Sequence, residues 1–359
     1  MARIIKNKPV LRSCTQFLHS QASLIFPYTS TRSIETLAFE EVRSPSHKPI
    51  PDYSAFVLHG LIGSARNWRS FSRNLASSLS TFSPPSDWKM VLVDLRNHGQ
   101  SAGVSGLHPP HDIVNAANDL ANLVKARDWS WPDVVLGHSM GGKVALQYAL
   151  SCARGDYGSA AKLPKQPPWD ASFFRENACY EFMTHFKPNE QLWVLDSVPG
   201  IVDPEESNGD VEKVLETLQT LPKTIPSRTW LVDHLTNLGF TRSLSEWIGT
   251  NLKKEGEQFT WAFNLEGIIQ MFDSYRKMDY WPLLEHPPKG MEIVMVRAEN
   301  SDRWDQHVIN KLESLKNRTS DESEGKLSVV VLPKSGHWVH VDNPKGLLEI
   351  VTPKMASLS

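Results

Sequence analysis

The chain has 359 residues, enough for one large α/β domain with an insertion or for two modest domains. Its composition is 40% hydrophobic and 22% charged, and no run approaches the roughly 18 apolar residues of a membrane span, which argues against a membrane-spanning chain. The net charge of −2 provides no basic surface for nucleic acid, and three cysteines without CxxC spacing indicate neither a disulfide framework nor a thiolate zinc site. A small-molecule ligand is therefore expected.

Residues 1–34 differ in composition from the remainder of the chain. They carry five basic residues and many serines and threonines, and the first acidic residue is Glu35. This composition is typical of an organelle transit peptide, which is the prediction for this segment. If the segment is instead a basic tail, the protein is expected in the cytoplasm.

Short apolar strands alternate with helices over the first half of the remaining chain. Because a strand that is buried on both faces has no polar alternation, all-apolar runs favour a mostly parallel central sheet flanked by helices, an α/β fold. The predicted strands are 36–43, 55–58, 90–93 and 134–137, and the predicted helices run from Trp68 to Leu79, from Asp112 to Arg127 and onward from Ser139.

The second half of the chain is interrupted by two segments of different character. Residues 151–190 are rich in glycine and proline, which indicates a surface insertion within a first core part, 35–199. Residues 200–289 show helical periodicity without a clear strand and are predicted to form a helical cap inserted between sheet strands. The candidate cap helices are 210–221, 227–238, 243–253 and 265–275, and the second core part is 290–359.

Ser139 is the candidate nucleophile. It lies in Gly137-His138-Ser139-Met140-Gly141, a G-x-S-x-G pattern that follows an apolar strand and precedes a helix. The glycines permit the strained turn that exposes such a serine, since side chains at these positions would collide with neighbouring chain. The strand and helix on either side make catalysis the favoured interpretation over an ordinary turn.

A serine hydroxyl requires a base, and His337 is the candidate. It follows the last strong strand, in a turn made by Gly336, which places the imidazole at the carboxyl edge of the sheet. The order serine then histidine agrees with hydrolases of this strand–turn–helix type. His340, three residues later, is the alternative candidate for the base.

Two backbone amides are predicted to bind the oxyanion of a tetrahedral intermediate. One is the N–H of Met140, at the start of the helix after Ser139, where the helix dipole assists. The other is the N–H of Leu61, in the loop that follows His59 and Gly60.

The carboxylate that orients the histidine has several candidates in the sequence. Asp196 closes the apolar strand 192–196 and is favoured, because such an acid sits at a strand end. Asp302 and Glu299 follow the strand that ends at Val296, and Glu266 is a further alternative.

Four motifs together resemble the alpha/beta-hydrolase superfamily, namely His59–Ser64, Asp94–Ser101, Gly137–Lys143 and Gly336–Trp338. More narrowly, they resemble the branch of YbfF-type esterases and the mitochondrial alpha/beta-hydrolase domain-containing protein 11. The resemblance implies the alpha/beta-hydrolase fold, and it favours a mitochondrion over a plastid as the importing organelle.

The resemblance also bears on individual residues. In this branch, the common position of the acid, after the penultimate strand, is often occupied by Asn-Ser, and Asn300-Ser301 here is similar. The resemblance therefore favours Asp196 as the acid. His98 and His138 are expected to support the site together with His59 and Gly60. The long insertion at 151–190 departs from the branch.

The sequence therefore predicts a serine hydrolase that cleaves carboxylic ester, thioester or acyl-lipid bonds through a Ser-His-Asp triad and an acyl-enzyme. This chemistry needs neither a metal nor an organic cofactor, and the expected partner is a small acyl ester or thioester rather than nucleic acid. Two alternatives stay open: a ligand-binding or scaffolding member of the fold without turnover, and an acyltransferase or lyase that uses the same triad.

Overall fold

A computed structural model describes residues 36–45, 49–83, 85–158, 190–203, 210–318 and 324–358. The predicted transit peptide, 1–34, lies outside the described residues. Of the predicted insertion, only residues 151–158 and 190 are described.

In the described part of the chain, seven strands form one central sheet, and two more form a separate hairpin. The strands are β1 (Phe39–Arg43), β2 (Tyr53–Leu58), β3 (Trp88–Val93), β4 (Val134–His138), β5 (Glu190–Leu195), β6 (Leu252–Glu255), β7 (Gln258–Trp261), β8 (Met291–Ala298) and β9 (Lys326–Leu332). The sheet has the order β1-β3-β2-β4-β5-β8-β9, and only β1 runs antiparallel to its neighbour. The predicted mostly parallel α/β sheet is thus confirmed.

Helices cover both faces of this sheet. The α-helices of the described residues are α1 (Arg69–Thr81), α2 (Ile113–Ala126), α3 (Met140–Ala153), α4 (Asp210–Thr220), α5 (Arg228–Asn237), α6 (Arg242–Gly249), α7 (Leu265–Lys277), α8 (Trp281–Glu285), α9 (Gln306–Lys316), α10 (Val339–Asp342) and α11 (Pro344–Ala356). Along β2, Phe56 and Leu58 belong to one apolar core, whereas Ala55 and Val57 belong to the core on the opposite face. Because successive strand side chains point to opposite faces, an all-apolar strand requires two covered faces.

The segment 200–289, which we call the cap segment, contains α4 to α8 and the β6–β7 hairpin between strands β5 and β8. The expectation of no strand in this segment was wrong. The predicted helix 243–253 ends earlier, at Gly249, and Lys253 belongs to β6. The hairpin turns at Gly256, whose φ of +63° suits a residue without a Cβ.

The carboxyl ends of the parallel strands lie at one edge of the sheet, and the candidate site residues follow these ends. His59 follows β2, Ser139 follows β4, Asp196 follows β5 and His337 follows β9 by five residues. Parallel strands therefore bring together residues that are far apart in sequence.

Candidate active site

Ser139 occupies a sharp turn between β4 and α3. Its backbone has φ +53° and ψ −121°, a conformation that costs free energy for any residue with a side chain and that surrounding contacts must hold. Its N–H donates to the carbonyl of Leu195 at 2.9 Å, and its own carbonyl accepts from the N–H of Gly142 at 2.8 Å. The turn is thereby fixed to the end of β5 and to the first turn of the helix.

The two glycines of the motif are required by close backbone packing. A Cβ on Gly137 would lie 2.1 Å from the carbonyl oxygen of Gly141, and a Cβ on Gly141 would lie 2.6 Å from that of His59. Neither backbone atom can move away as a flexible side chain could. The motif therefore lets α3 begin directly against the loop that follows β2.

His337 and Asp196 are hydrogen-bonded. The His337 Nδ1 lies 2.8 Å from Asp196 Oδ2. The same carboxylate accepts from the hydroxyl of Ser301 at 2.7 Å, from the Trp304 indole at 2.6 Å and from the N–H of Ala298 at 3.0 Å. Burial alone would raise the pKa of Asp196, but its interaction with His337 and the Ser301 and Trp304 hydrogen bonds lower that pKa below its usual value. An ionised carboxylate therefore faces the imidazole.

The other acidic candidates have different surroundings. Asp302 is exposed, and although its charge raises the pKa of His337, the hydrogen bond from Nδ1 goes to Asp196. Glu299 accepts from the N–H of Lys334 at 2.8 Å. Glu266 lies in the first turn of α7, on the cap segment.

The loop from Gly60 to Ala65, which we call the oxyanion loop, passes beside Ser139. A Cβ on Gly60 would be 3.1 Å from the Ser139 Cβ. The N–H groups of residues 62 to 65 all donate to protein acceptors. In contrast, neither the Leu61 nor the Met140 N–H has an acceptor within the described part of the chain. These are the two amides that the sequence predicts as oxyanion donors.

Ile62 is held from two sides. Its N–H donates to His98 Nε2 at 3.0 Å, and its carbonyl accepts from the Asn251 side-chain amide, on the cap segment, at 2.9 Å. Its φ is +55°, which is unfavourable for a β-branched residue. The conformation of the oxyanion loop therefore depends on both contacts.

His59 and His98 form a buried pair with ring centroids 5.0 Å apart. The Nε2 of His59 accepts from the N–H of Leu95 at 3.0 Å, so its proton is on Nδ1, which donates to the carbonyl of Gly60 at 2.7 Å. Burial lowers the pKa of His59 to about 4 and that of His98 to about 3. Both rings are therefore neutral and act as fixed hydrogen-bonding groups around the oxyanion loop.

His138 and His340 lie on the other side of the site. The Nε2–H of His138 donates to the carbonyl of His337 at 2.8 Å, which ties the histidine turn to the residue before Ser139. His340 stacks on Trp68 with ring centroids 4.1 Å apart, and its Nδ1 is buried without a hydrogen-bond partner among the described residues. Burial lowers the pKa of His340 to about 4.

Lys143 and Asn97 also join the cap segment to the core, and neither was assigned a role from sequence. Lys143 is fully buried in α3, and its ammonium donates to the carbonyls of Gly200, Tyr275 and Met278 at 2.6, 2.6 and 2.9 Å. Asn97 and Asn264 exchange two side-chain to backbone hydrogen bonds of 2.8 Å each. A lysine inside an otherwise apolar helix is the sequence feature that could have indicated a buried, hydrogen-bonded ammonium at position 143.

The described residues contain no cluster of three or more His, Cys, Asp or Glu that could hold a metal ion. In the same part of the chain, no helix has the length and apolar character needed to cross a membrane.

A sequence profile described as the alpha/beta hydrolase family matches residues 55–350. The sn-1-specific diacylglycerol lipase ABHD11 of Mus musculus is 24% identical over 305 residues, 83% of this chain and 80% of that protein. Ethanol acetyltransferase 1 of Kluyveromyces marxianus is 28% identical over 160 residues, 42% of this chain and 39% of that protein. Among solved structures, a marine microorganism esterase has a TM-score of 0.62 and 20% identity, and the match covers 89% of this chain and 98% of that one.

Proposed function

Because the chain belongs to the alpha/beta hydrolase family, we propose that it is a serine hydrolase that cleaves carboxylic ester or thioester bonds through a Ser139–His337–Asp196 triad. The observation that carries this proposal is the 2.8 Å hydrogen bond between His337 and Asp196 at the sheet edge where Ser139 turns. The buried carboxylate would hold the imidazole in the tautomer whose Nε2 is free to accept a proton.

In the proposed reaction, the Ser139 hydroxyl attacks the acyl carbon while His337 Nε2 takes its proton. The tetrahedral oxyanion is bound by the Leu61 and Met140 N–H groups, which have no acceptor among the described residues. One such donor contributes about 2.7–4 kcal/mol to the transition state. His337 then gives its proton to the leaving alcohol or thiol, and water attacks the acyl-enzyme in the reverse sequence.

An acyl lipid is the substrate class that we favour. The mouse relative is named a diacylglycerol lipase, so a long-chain acyl ester is a reasonable substrate for this chain. Apolar surface also lies next to the base, since Trp338 contacts Trp247 of α6 with ring centroids 5.9 Å apart. Aromatic walls of this kind suit an acyl chain.

Labelling with a fluorophosphonate probe tests the proposal. The full-length protein is expected to form one adduct on Ser139, and Ser139→Ala is expected to abolish both the adduct and the hydrolysis of a panel of esters and thioesters of increasing chain length. A wild-type protein that forms no adduct and cleaves no ester would instead be a ligand-binding member of the fold.

A second candidate function is acyl transfer to an alcohol. The match to ethanol acetyltransferase 1 favours it, because an acyl-enzyme can be attacked by an alcohol in place of water. Product analysis with ethanol added to the assay separates the two functions. Hydrolysis predicts the free acid at every ethanol concentration, whereas transfer predicts an ethyl ester as the main product.

We further infer from composition that residues 1–34 direct the protein to a mitochondrion. The five basic residues and the absence of acid before Glu35 support this proposal. A fluorescent protein fused behind residues 1–34 is expected in mitochondria, and a fusion in which the five basic residues are replaced by glutamine is expected to stay in the cytosol. Mitochondrial signal from the glutamine fusion would contradict the inference.

A further inference from the structure

Arg303 lies in the segment that surrounds the carboxylate of Asp196. Ser301 and Trp304, on either side of it in sequence, both donate hydrogen bonds to that carboxylate. The Arg303 side chain is half-buried, and its Nε is buried without a hydrogen-bond partner in the described structure. The side chain is therefore directed into the protein at the candidate active site.

The charge of Arg303 acts on groups from three elements of the site. Burial is the main cause that lowers the pKa of His337, and Arg303 lowers that pKa further. Arg303 has the same effect on His138, after burial and the neighbouring histidines, and it also acts on Tyr275 of α7. The guanidinium is thus close to the histidine turn, the nucleophile turn and the cap segment.

No carboxylate of the described residues forms an ion pair with Arg303. Among the described residues, Arg303 forms neither an ion pair nor a hydrogen bond. Asp196 is occupied by four other donors, and Asp302 is exposed. An unpaired, partly desolvated charge is unfavourable, and a cation near His337 also opposes the imidazolium that forms during acyl transfer. Without a bound anion, the Arg303 charge is therefore expected to destabilise both the folded site and the imidazolium of His337.

A substrate anion would reverse both effects. It would pair with the guanidinium and remove the repulsion between two positive charges in the transition state. Arginine suits this task because its planar fork binds carboxylate or phosphate oxygens through two parallel hydrogen bonds.

We propose that Arg303 is a specificity residue that binds an anionic oxygen group, a carboxylate or a phosphate, carried by the ester substrate. The anion can belong to the acyl part or to the leaving alcohol of the substrate. In both cases the guanidinium would bind its oxygens through charge-assisted hydrogen bonds. This inference rests on the proposed serine hydrolase function.

Matched substrate pairs test the inference with the full-length protein. For the acyl part, mono-nitrophenyl glutarate is compared with nitrophenyl pentanoate, and for the leaving part, lysophosphatidic acid is compared with the monoacylglycerol of the same chain. The anionic member of at least one pair is expected to have a kcat/KM about 10- to 100-fold higher, the value of a charge-assisted hydrogen bond. The pair that shows the preference identifies the part of the substrate that carries the anion.

Variants assign the preference to Arg303. Arg303→Gln is expected to bring the ratio within the preferred pair to about one, and Arg303→Lys to retain part of it, since lysine keeps the charge without the fork. Arg43→Gln, on edge strand β1, is the matched control and should keep the wild-type ratio. Should Arg303→Gln not fold, the intermediate ratio of Arg303→Lys still tests the assignment.

Two results would overturn the anion-site inference and leave the proposed hydrolase function standing. In the first, Ser139 reacts with the fluorophosphonate but neither substrate pair shows a preference for the anionic member. In the second, the preference survives Arg303→Gln. If Ser139 does not react and no ester is cleaved, the proposed function fails, and the anion site fails with it.

Discussion

The Nδ1 of His337 lies 2.8 Å from the Oδ2 of Asp196, although 141 positions separate the two residues in the chain. Parallel pairing makes this possible, because β5, β8 and β9 are adjacent in the sheet and end at the same edge. The contact distinguishes Asp196 from Asp302, which precedes Arg303 by one residue and is exposed.

The first prediction compares these two carboxylates. Asp196→Asn is expected to lower kcat about 10⁴-fold, because an amide at this position favours the wrong tautomer of His337. Asp302→Asn should change kcat little. Since the charge of Asp302 raises the pKa of His337, its removal should move the acidic limb of the kcat/KM profile to lower pH. An unchanged kcat in Asp196→Asn together with a large loss of kcat in Asp302→Asn would assign the acid to Asp302.

The second prediction concerns His98, which accepts the N–H of Ile62. His98→Leu leaves that amide unpaired and is expected to reduce the free energy of unfolding by about 1–3 kcal/mol. If the contact positions the oxyanion loop, kcat should also fall about 10- to 100-fold while KM changes little. His98→Gln, which offers an acceptor near the position of Nε2, should recover part of both losses. His307→Leu, at an exposed position of α9, is the control. A loss of stability with unchanged kcat would limit His98 to a structural role.

The third prediction concerns Lys143. Lys143→Met keeps the length of the side chain but leaves three carbonyl groups without their donor, so the free energy of unfolding is expected to fall by about 3–5 kcal/mol. Lys125→Met, on the exposed face of α2, should change it by less than about 0.5 kcal/mol. Urea unfolding measures both. Similar small effects in the two variants would show that the buried ammonium does not stabilise the fold.

The fourth prediction is a loss of stability in mild acid. Burial lowers the pKa of six histidines below 6.5, so the unfolded chain binds more protons than the folded one as the pH falls from 6.5 toward 4. They are His59, His98, His111, His138, His337 and His340. Stability therefore rises with pH across this window and is lost on acidification, by about 1.4 kcal/mol per pH unit for each histidine that stays neutral.

The free energy of unfolding measured at pH 7, 6 and 5 tests this effect. His340→Gln should reduce the pH slope by about one proton. A free energy that stays constant between pH 7 and pH 5 would contradict the prediction.

The sequence predicts the sheet well because its strands are continuous apolar runs. The strand before Ser139 ends at His138 and the following helix begins at Met140, as the G-x-S-x-G pattern requires. The β6–β7 hairpin was not predicted, since three of the four residues of β6 are charged and exposed, and such a short strand carries no period-two apolar pattern.

The partner of His337 could not be fixed from sequence alone. Several strand ends supply a carboxylate, and local patterns do not determine which of them faces a histidine more than a hundred residues later. The same reason applies to Lys143 and Asn97, whose partners lie on the cap segment. These contacts depend on how distant elements pack rather than on local propensity.

The two hydrogen bonds on the Ile62 peptide have a thermodynamic consequence. One comes from the core, through His98, and the other from the cap segment, through Asn251. Under the proposed function, a molecule that binds the cap segment and changes the Asn251 contact is expected to change the affinity of the oxyanion loop for a transition-state analogue. By linkage, that analogue changes the affinity of the cap ligand by the same factor. The Ile62 peptide is therefore expected to couple binding at the cap segment to binding at the proposed active site.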